Sequence, residues 1–445
     1  MKSILFFAVL VMAGLVYSQD NGRPYVSINP ISTSTIYEVN VRQFSKAGTF
    51  AEVQKALPRL RSMGVDILWL MPINPIGVKN RKGSLGSYYA VRDYKGINPE
   101  FGTLDDFKTL VAEAHNLGMR IIIDWVANHS SPDNVWLDQG HKDWYTLDSN
   151  GNVQPTIGTD WWDVADLNYD NMAMRQEMIA SMKYWINECD IDGFRCDVAG
   201  WVPMDFWIQA RKELETIKPL FMLAESEGAD QHQAFDMTYG WEFHHLMNKI
   251  AQGKEKPESI QNYLIQDKAY PSSAIRMYFT SNHDENSWNG TEMERMGEAR
   301  HVMAVLAYGL TGMPLIYNGQ ETSLDRRLKF FEKDEILWDK MDLVTFYTQL
   351  NGLKHENPCM TSDRMKTKVG LSYECNGTVL VIKRTNIDFP GRELVFYLNL
   401  SGEKQKASGV ADSKSQWINA LSKKIIKKAN KSIKLKPWSY LVISK

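Results

Sequence analysis

Cysteine is scarce: Cys189, Cys196, Cys359 and Cys375 are the four in a chain of 445 residues. None stands in a C-x-x-C pair, which argues against a cysteine-held zinc. Four thiols over this length are not a disulfide scaffold, so buried free thiols are expected. Charge excess is missing too. The formal net charge of -2 gives no reason to expect nucleic acid or an anionic membrane surface as a partner. No internal repeat or low-complexity tract stands out. Long apolar runs are absent after the segment 1–18, "MKSILFFAVLVMAGLVYS". That segment reads as a signal peptide: Lys2 is the positive start, Ile4 to Val16 the apolar stretch, and cleavage falls before Gln19. It is short for a membrane span, and no later stretch would cross a bilayer. Export, to the exterior or a periplasm, is the expectation, with no membrane span left after cleavage.

What the chain does have is alternation between short β-rich runs and amphipathic segments. The runs are "TIYEVNVRQF", "VDILWLMP", "MRIIIDWVANH", "IDGFRCDVA", "LFMLAES", "AFDMTYG", "IRMYFTSNHD" and "PLIYNGQE". Helical patterns such as "TFAEVQKALPRLRSMG", "TLDDFKTLVAEAHNLG" and "PMDFWIQARKELETI" lie between most of them. This order predicts a (β/α)8 barrel over 30–129 and 171–358. A doubly wound open sheet is the rival, weakened because no Gly-rich dinucleotide turn follows the first strand. After the third run about forty residues pass before the next long helix, and they contain Trp136, Trp144, Trp161 and Trp162. They predict an inserted subdomain over 130–170. From 361 to 445 the pattern becomes strand and turn, predicting a C-terminal antiparallel β-sandwich. The lysine-rich "SKKIIKKANKSIK" reads as a solvated edge.

Barrels of this kind gather reactive groups at the C-terminal ends of their strands. The third run ends on Asp124, Asn128 and His129, the fourth on Arg195 and Asp197, the fifth on Glu225, the seventh on His283 and Asp284. Arg195 and Asp197 are two apart, so they share one face of a strand while Cys196 points the other way. A guanidinium beside Asp197 is expected to keep its carboxyl low and ionised, as a nucleophile needs. Glu225 follows the apolar "LFMLA" and is the candidate proton donor. Two carboxyl groups about 5–5.5 Å apart would make a retaining glycosidase.

These segments together resemble the α-amylase family, glycoside hydrolase family 13. "DWVANH" is similar to its D-x-x-x-N-H motif, "GFRCDVA" to its G-x-R-x-D motif, "AES" to its acid/base segment and "SNHD" to the motif of its third carboxylate. "VDILWLMP", "VADLN" and "GMPLIYNGQE" resemble further family segments, in the family's order, over 30 to 325. The resemblance implies Asp197 as nucleophile, Glu225 as general acid/base and Asp284 as stabilising carboxylate. It implies substrate contacts from Tyr89, His129, Arg195 and His283. Many members carry Lys-His three and four residues after the nucleophile; here stand Gly200 and Trp201. Trp201 is a candidate stacking face on the leaving-group side. The missing His leaves calcium open: Asn128 is the one surviving ligand position, with Asp163 a second guess.

The implied activity is retaining cleavage of α-1,4-glucosidic bonds in starch-type glucans or maltooligosaccharides through a covalent β-glucosyl-enzyme. Transglycosylation or sugar isomerisation is the alternative within the family. A catalytically silent glycan-binding relative is disfavoured, because all three carboxylates are present. No organic cofactor is implied, and a monomer is expected.

Overall fold

Eight short strands pair in parallel, each beside the next in chain order and the last beside the first, closing the expected barrel. They are β1 (Ile36–Val39), β2 (Ile67–Leu70), β3 (Arg120–Trp125), β4 (Gly193–Cys196), β5 (Phe221–Ala224), β6 (Met237–Tyr239), β7 (Ile275–Tyr278) and β8 (Met313–Tyr317). This computed structural model describes residues 31–362, 369–409, 415–426, 429 and 431–445. The segment read as a signal peptide lies outside the described residues.

Every run quoted above contributes one strand, and the period of two decides its packing. In β2, Ile67 and Trp69 fill the barrel interior with Ile122, Leu223 and Met277. Leu68 and Leu70 face outward into the helical layer, beside Leu57, Val111 and Met182. The same alternation turns Phe194 and Cys196 outward and Arg195 inward. Gly193 begins β4 with φ at +152°, and a Cβ there would meet the Phe221 carbonyl oxygen at 1.8 Å. Only glycine lets β4 and β5 approach at that point.

The outer layer includes the amphipathic helices Phe50–Ser62, Leu104–Asn116, Met172–Cys189, Met204–Leu214 and Arg300–Gly309. Leu104–Asn116 starts with a capping box: Thr103 Oγ1 accepts from the Asp106 N–H, and Asp106 accepts from the Thr103 N–H. Helices Trp241–Ala251, Ser259–Gln266 and Val344–Glu356 had no counterpart in the sequence reading. After β3 the chain leaves the barrel through His129–Ser130, which pairs antiparallel with Ala165–Asp166. Between them Trp136 stacks on Tyr94 (4.7 Å) and meets Trp144 edge-on (5.2 Å). Trp136 and Trp144 are buried and join the stretch to the apolar cluster around the barrel, whereas Trp162 is exposed.

The C-terminal part has a six-stranded antiparallel sheet ordered Val369–Asn376, Val379–Asn386, Glu393–Asn399, Tyr440–Ser444, Trp417–Asn419, Ile425–Ile426. One face packs on helix Arg300–Gly309 through Leu380, Ile382 and Phe396. The other packs through Val395, Trp417 and Ile443 against the pair Gln405–Ala407 and Ile433–Leu435. Ile425–Ile426, inside the lysine-rich tract, is an edge strand, as expected for that composition. The joint to the barrel is polar. Arg384 is fully buried and donates to the carbonyls of Gly309, Leu310, Cys359 and Thr361. Beside it Lys354 donates to the Gly312 and Met360 carbonyls and to Ser362 Oγ. Burial pushes the Lys354 ammonium far below its ordinary range, and Arg384 adds to the shift.

Truncating Arg384 leaves buried carbonyls unpaired. Arg384→Met should lower the unfolding free energy by about 3 kcal/mol in urea titrations. A loss under about 1 kcal/mol would mean that water replaces the guanidinium at the joint.

Candidate active site

The site is built on the inner-face residues at the ends of β1, β3 and β4. Asp124 and Arg195 face each other in register across β3 and β4. Arg195 is completely buried, and its Nη1 donates to Asp124 Oδ1 and Asp197 Oδ1, both at 2.9 Å. Its Nη2 lies 2.9 Å from Glu225 Oε1, and its Nε donates to Tyr239 Oη (3.1 Å). Trp69 lies flat against the cation at 4.9 Å, with Tyr239 and Tyr89 at 5.6 and 5.8 Å. One guanidinium thus hydrogen-bonds Asp197 through Nη1 and ion-pairs with Glu225 across Nη2.

Val198 follows Asp197 with φ at +35°, a left-handed conformation that a β-branched residue seldom adopts. Its N–H donates to Glu225 Oε2 at 2.7 Å. The strained turn therefore positions the second carboxylate, and strain of this kind gathers at functional sites.

From the other side of the barrel comes His283, after β7. Its Nδ1 is bonded to Glu38 of β1, and its Nε2 lies 2.8 Å from Tyr89 Oη and 3.4 Å from Asp284 Oδ2. Tyr89 Oη also donates to Asp124 Oδ2 (3.1 Å). Arg195, Asp197, Glu225, Tyr89, His283 and Asp284 therefore form one network. Asp284 is the most open of the carboxylates, with 34% of its side chain exposed, against 10% for Asp197 and 14% for Glu225.

The electrostatics correct one expectation. Burial lifts the Asp197 carboxyl to about 6, with Asp124 and Asp284 adding to the lift against Arg195. The expected lowering by Arg195 is outweighed, because Asp124 takes a share of the same guanidinium and burial removes water from all three groups. Glu225 goes higher, to about 7, by burial and by the charges of Asp197 and Asp284. Burial alone would lower His283, but Asp284 and Glu38 overcome it and raise the imidazole to about 9. His283 is therefore a cation at neutral pH.

His129, Asn128 and Trp201 stand in a second group, held by the insert. Burial lowers His129 to about 3, so it is neutral. Its ring packs on Trp161 (5.4 Å), and Trp161 in turn stacks on Trp201 (5.4 Å, 26°). Trp201 keeps 55% of its surface exposed. The calcium candidates Asn128 and Asp163 are both engaged by neighbouring side chains. Asn128 Nδ2 donates to Thr156 Oγ1 and lies 3.1 Å from His129 Nδ1. Asp163 is already neutralised by Lys82 Nζ at 3.0 Å, which also donates to the Asp160 carbonyl and lies over the Trp162 ring. Ca²⁺ takes about six to eight oxygens; among the described residues no group of three or more His, Cys, Asp or Glu is placed to hold a metal.

Sequence reasoning missed Glu38, Tyr239, Trp69 and Phe330. An acid inside the β-branched "TIYEV" and a tyrosine ending "AFDMTYG" were visible signals for the first two. Phe330 lies nearly parallel to Tyr89 (6.3 Å, 14°) and gave no sequence signal.

Residues 32–368 match the family model described as the alpha amylase catalytic domain. The chain belongs to the α-amylase family, a family of glycosidases. It is similar to the crystal structure of an α-amylase from Lactobacillus plantarum: 33% identity, TM-score 0.84, covering 93% of this chain and 99% of that one. The structure of a noncanonic maltogenic α-amylase, AmyB from Thermotoga neapolitana, gives 31%, 0.82, and the same coverages. Among relatives by sequence, the α-amylase MalA of Haloarcula japonica is 27% identical over 360 residues, 77% of this chain. The chain spans 51% of that relative's length.

Three outcomes are expected. Turnover should follow a bell: it falls as pH drops through about 6, where Asp197 takes up a proton, and as pH rises through about 7, where Glu225 loses one. A rate unchanged across both limbs would remove these carboxyls from the reaction. Chelation should leave the thermal midpoint within about 1 °C, whereas Lys82→Met should lower it by loosening the insert; scanning fluorimetry reads both.

Proposed function

We propose that this chain hydrolyses α-1,4-glucosidic bonds of starch-type glucans or maltooligosaccharides with retention of configuration. The observation that carries this reading is the single buried guanidinium shared by Asp197 and Glu225, beside which burial lifts Asp197 to about 6 and Glu225 to about 7. An Asp197 carboxylate oxygen attacks the anomeric carbon while the glycosidic C–O bond breaks. Glu225 gives its proton to the leaving oxygen. A β-glucosyl ester on Asp197 results. Glu225, now a base, takes a proton from water, whose oxygen attacks the same carbon and releases Asp197. Two inversions return the α-anomer.

Asp284 suits the positive charge that develops on the ring at the transition state, and it is the carboxylate most open to the cleft. Cationic His283, anchored by Glu38, offers its Nε2–H to a sugar hydroxyl or to Tyr89. Passing the glucosyl group to a sugar hydroxyl in place of water would make the reaction a transfer. The exposed Trp201 face supplies a surface on which an acceptor sugar could stack. Relatives carrying the name α-1,4-glucan:maltose-1-phosphate maltosyltransferase support keeping this second reading.

Asp197→Asn should lower starch hydrolysis by about 10³-fold or more. Proton NMR of a fresh wild-type digest should display the α-anomer first. A β-anomer first, or near-normal turnover in the Asn variant, would sink the assignment.

A further inference from the structure

The two ends of the cleft are built from different loops. Trp201 stands at one end, four residues after Asp197, and the Val198 N–H between them holds Glu225. An acid that protonates the leaving oxygen faces the leaving group, so this end receives the aglycone. It is open: Trp201 stacks on Trp161 and still exposes more than half its surface.

The opposite end, past Tyr89 and His283, meets a wall. Phe330 lies nearly parallel to Tyr89 and edge-on to Tyr88 (5.5 Å). Trp288, four residues after Asp284 and 51% exposed, packs on Phe330 at 5.1 Å. The wall is pinned from several loops. Gln43 Nε2 donates to the Lys329 and Glu332 carbonyls at 2.7 and 2.8 Å. The Leu328 N–H donates to Asn286 Oδ1 (2.9 Å) and the Leu85 N–H to the Phe331 carbonyl (3.1 Å). The Ser84 N–H donates to Glu332 Oε1 at 2.9 Å. A Cβ on Gly83 would lie 2.5 Å from Phe331 Cβ, so the loops after β2 and β8 touch directly. They meet beside Tyr89, the ring on which Phe330 lies.

We propose that this pinned aromatic wall makes the glycone side a short blind pocket. The enzyme takes the non-reducing end of an α-glucan, stacks its terminal ring on Trp288, and releases a short oligosaccharide from the chain end. Phe330 and Trp288 are then the residues that set product length. The inference rests on the α-glucan reading above, and the test separates the two.

The probe is a chromogenic maltoheptaoside, with its non-reducing end either open or capped by a ketal, and its cleavage is followed by chromatography of the chromogen-bearing products without a coupling enzyme. The wild type should cut the open substrate and cut the capped one about tenfold more slowly or worse. Phe330→Ala with Trp288→Ala should narrow that ratio by about tenfold and lengthen the released products. Phe330→Leu, which keeps most of the packing volume, should move the ratio in the same direction. Equal wild-type rates on the two substrates would overturn this inference and leave the glucan reading standing. Cleavage of neither would overturn the glucan reading, and this inference with it. Variants folded by circular dichroism whose ratio stays at the wild-type value would acquit the wall and overturn the proposal.

Discussion

A fully buried guanidinium is the constraint on which this site depends. Removing a cation from water costs several kcal/mol, and only close, well-directed partners offset it. Arg195 has Asp124 and Asp197 on one nitrogen, Glu225 near the other and the Tyr239 hydroxyl on Nε. Each comes from a different strand end, so the β3–β4–β5–β6 register must be right for the charge to be tolerated. A slip of one residue in β4 would turn Arg195 toward Trp125 and Trp185 in the apolar outer layer and bring Cys196 inside. The arginine ties register and reactivity together: the pairing that makes its burial bearable also places the two carboxyls side by side.

Five carboxyls, from Glu38, Asp124, Asp197, Glu225 and Asp284, share this interior with two cations, Arg195 and His283. They cannot all be ionised at low cost in a site so little exposed to water. Glu225 is lifted to about 7, above Asp124 and Asp197 at about 6, so of these three it takes up a proton first as the pH falls. The acid needed for catalysis is therefore a product of burial first, with the crowding of Asp197 and Asp284 adding to it. Glu38 has a matching part: it holds His283 charged, and the charged imidazole then compensates Asp284.

The sequence made the barrel legible because every strand follows one short run and its period of two. The carboxylates were legible because each ends such a run. Two things escaped. Asp197 was weighed against Arg195 alone, while burial first and then the neighbouring Asp124 lift it. Glu38 reaches His283 across 245 positions, a pairing that strand closure creates and local pattern cannot reveal. The lining from Trp288, Phe330 and Phe331 was invisible for a related reason. The chain between β8 and helix Val344–Glu356 has no repeat in its apolar positions, and it is held by Gln43, Asn286, Ser84 and Leu85 from far along the chain.

Chemistry and selectivity are consequently carried by different physics in this molecule. The reacting groups sit on strand ends, where the ladder fixes them and substitution disturbs the whole interior. The cleft walls sit on loops whose hydrogen bonds run to one another. Val198 marks the boundary: its left-handed backbone ends the strand, turns its N–H to Glu225, and starts the loop that carries Trp201. Strain of about 1–3 kcal/mol at such a residue persists only where surrounding contacts fix it. Here Trp207 Nε1 donates to the Ala199 carbonyl next to it, and Glu225 accepts from its N–H. The general acid and the aglycone platform are thus set by one turn, so a change in that loop should alter leaving-group handling before it alters the nucleophile.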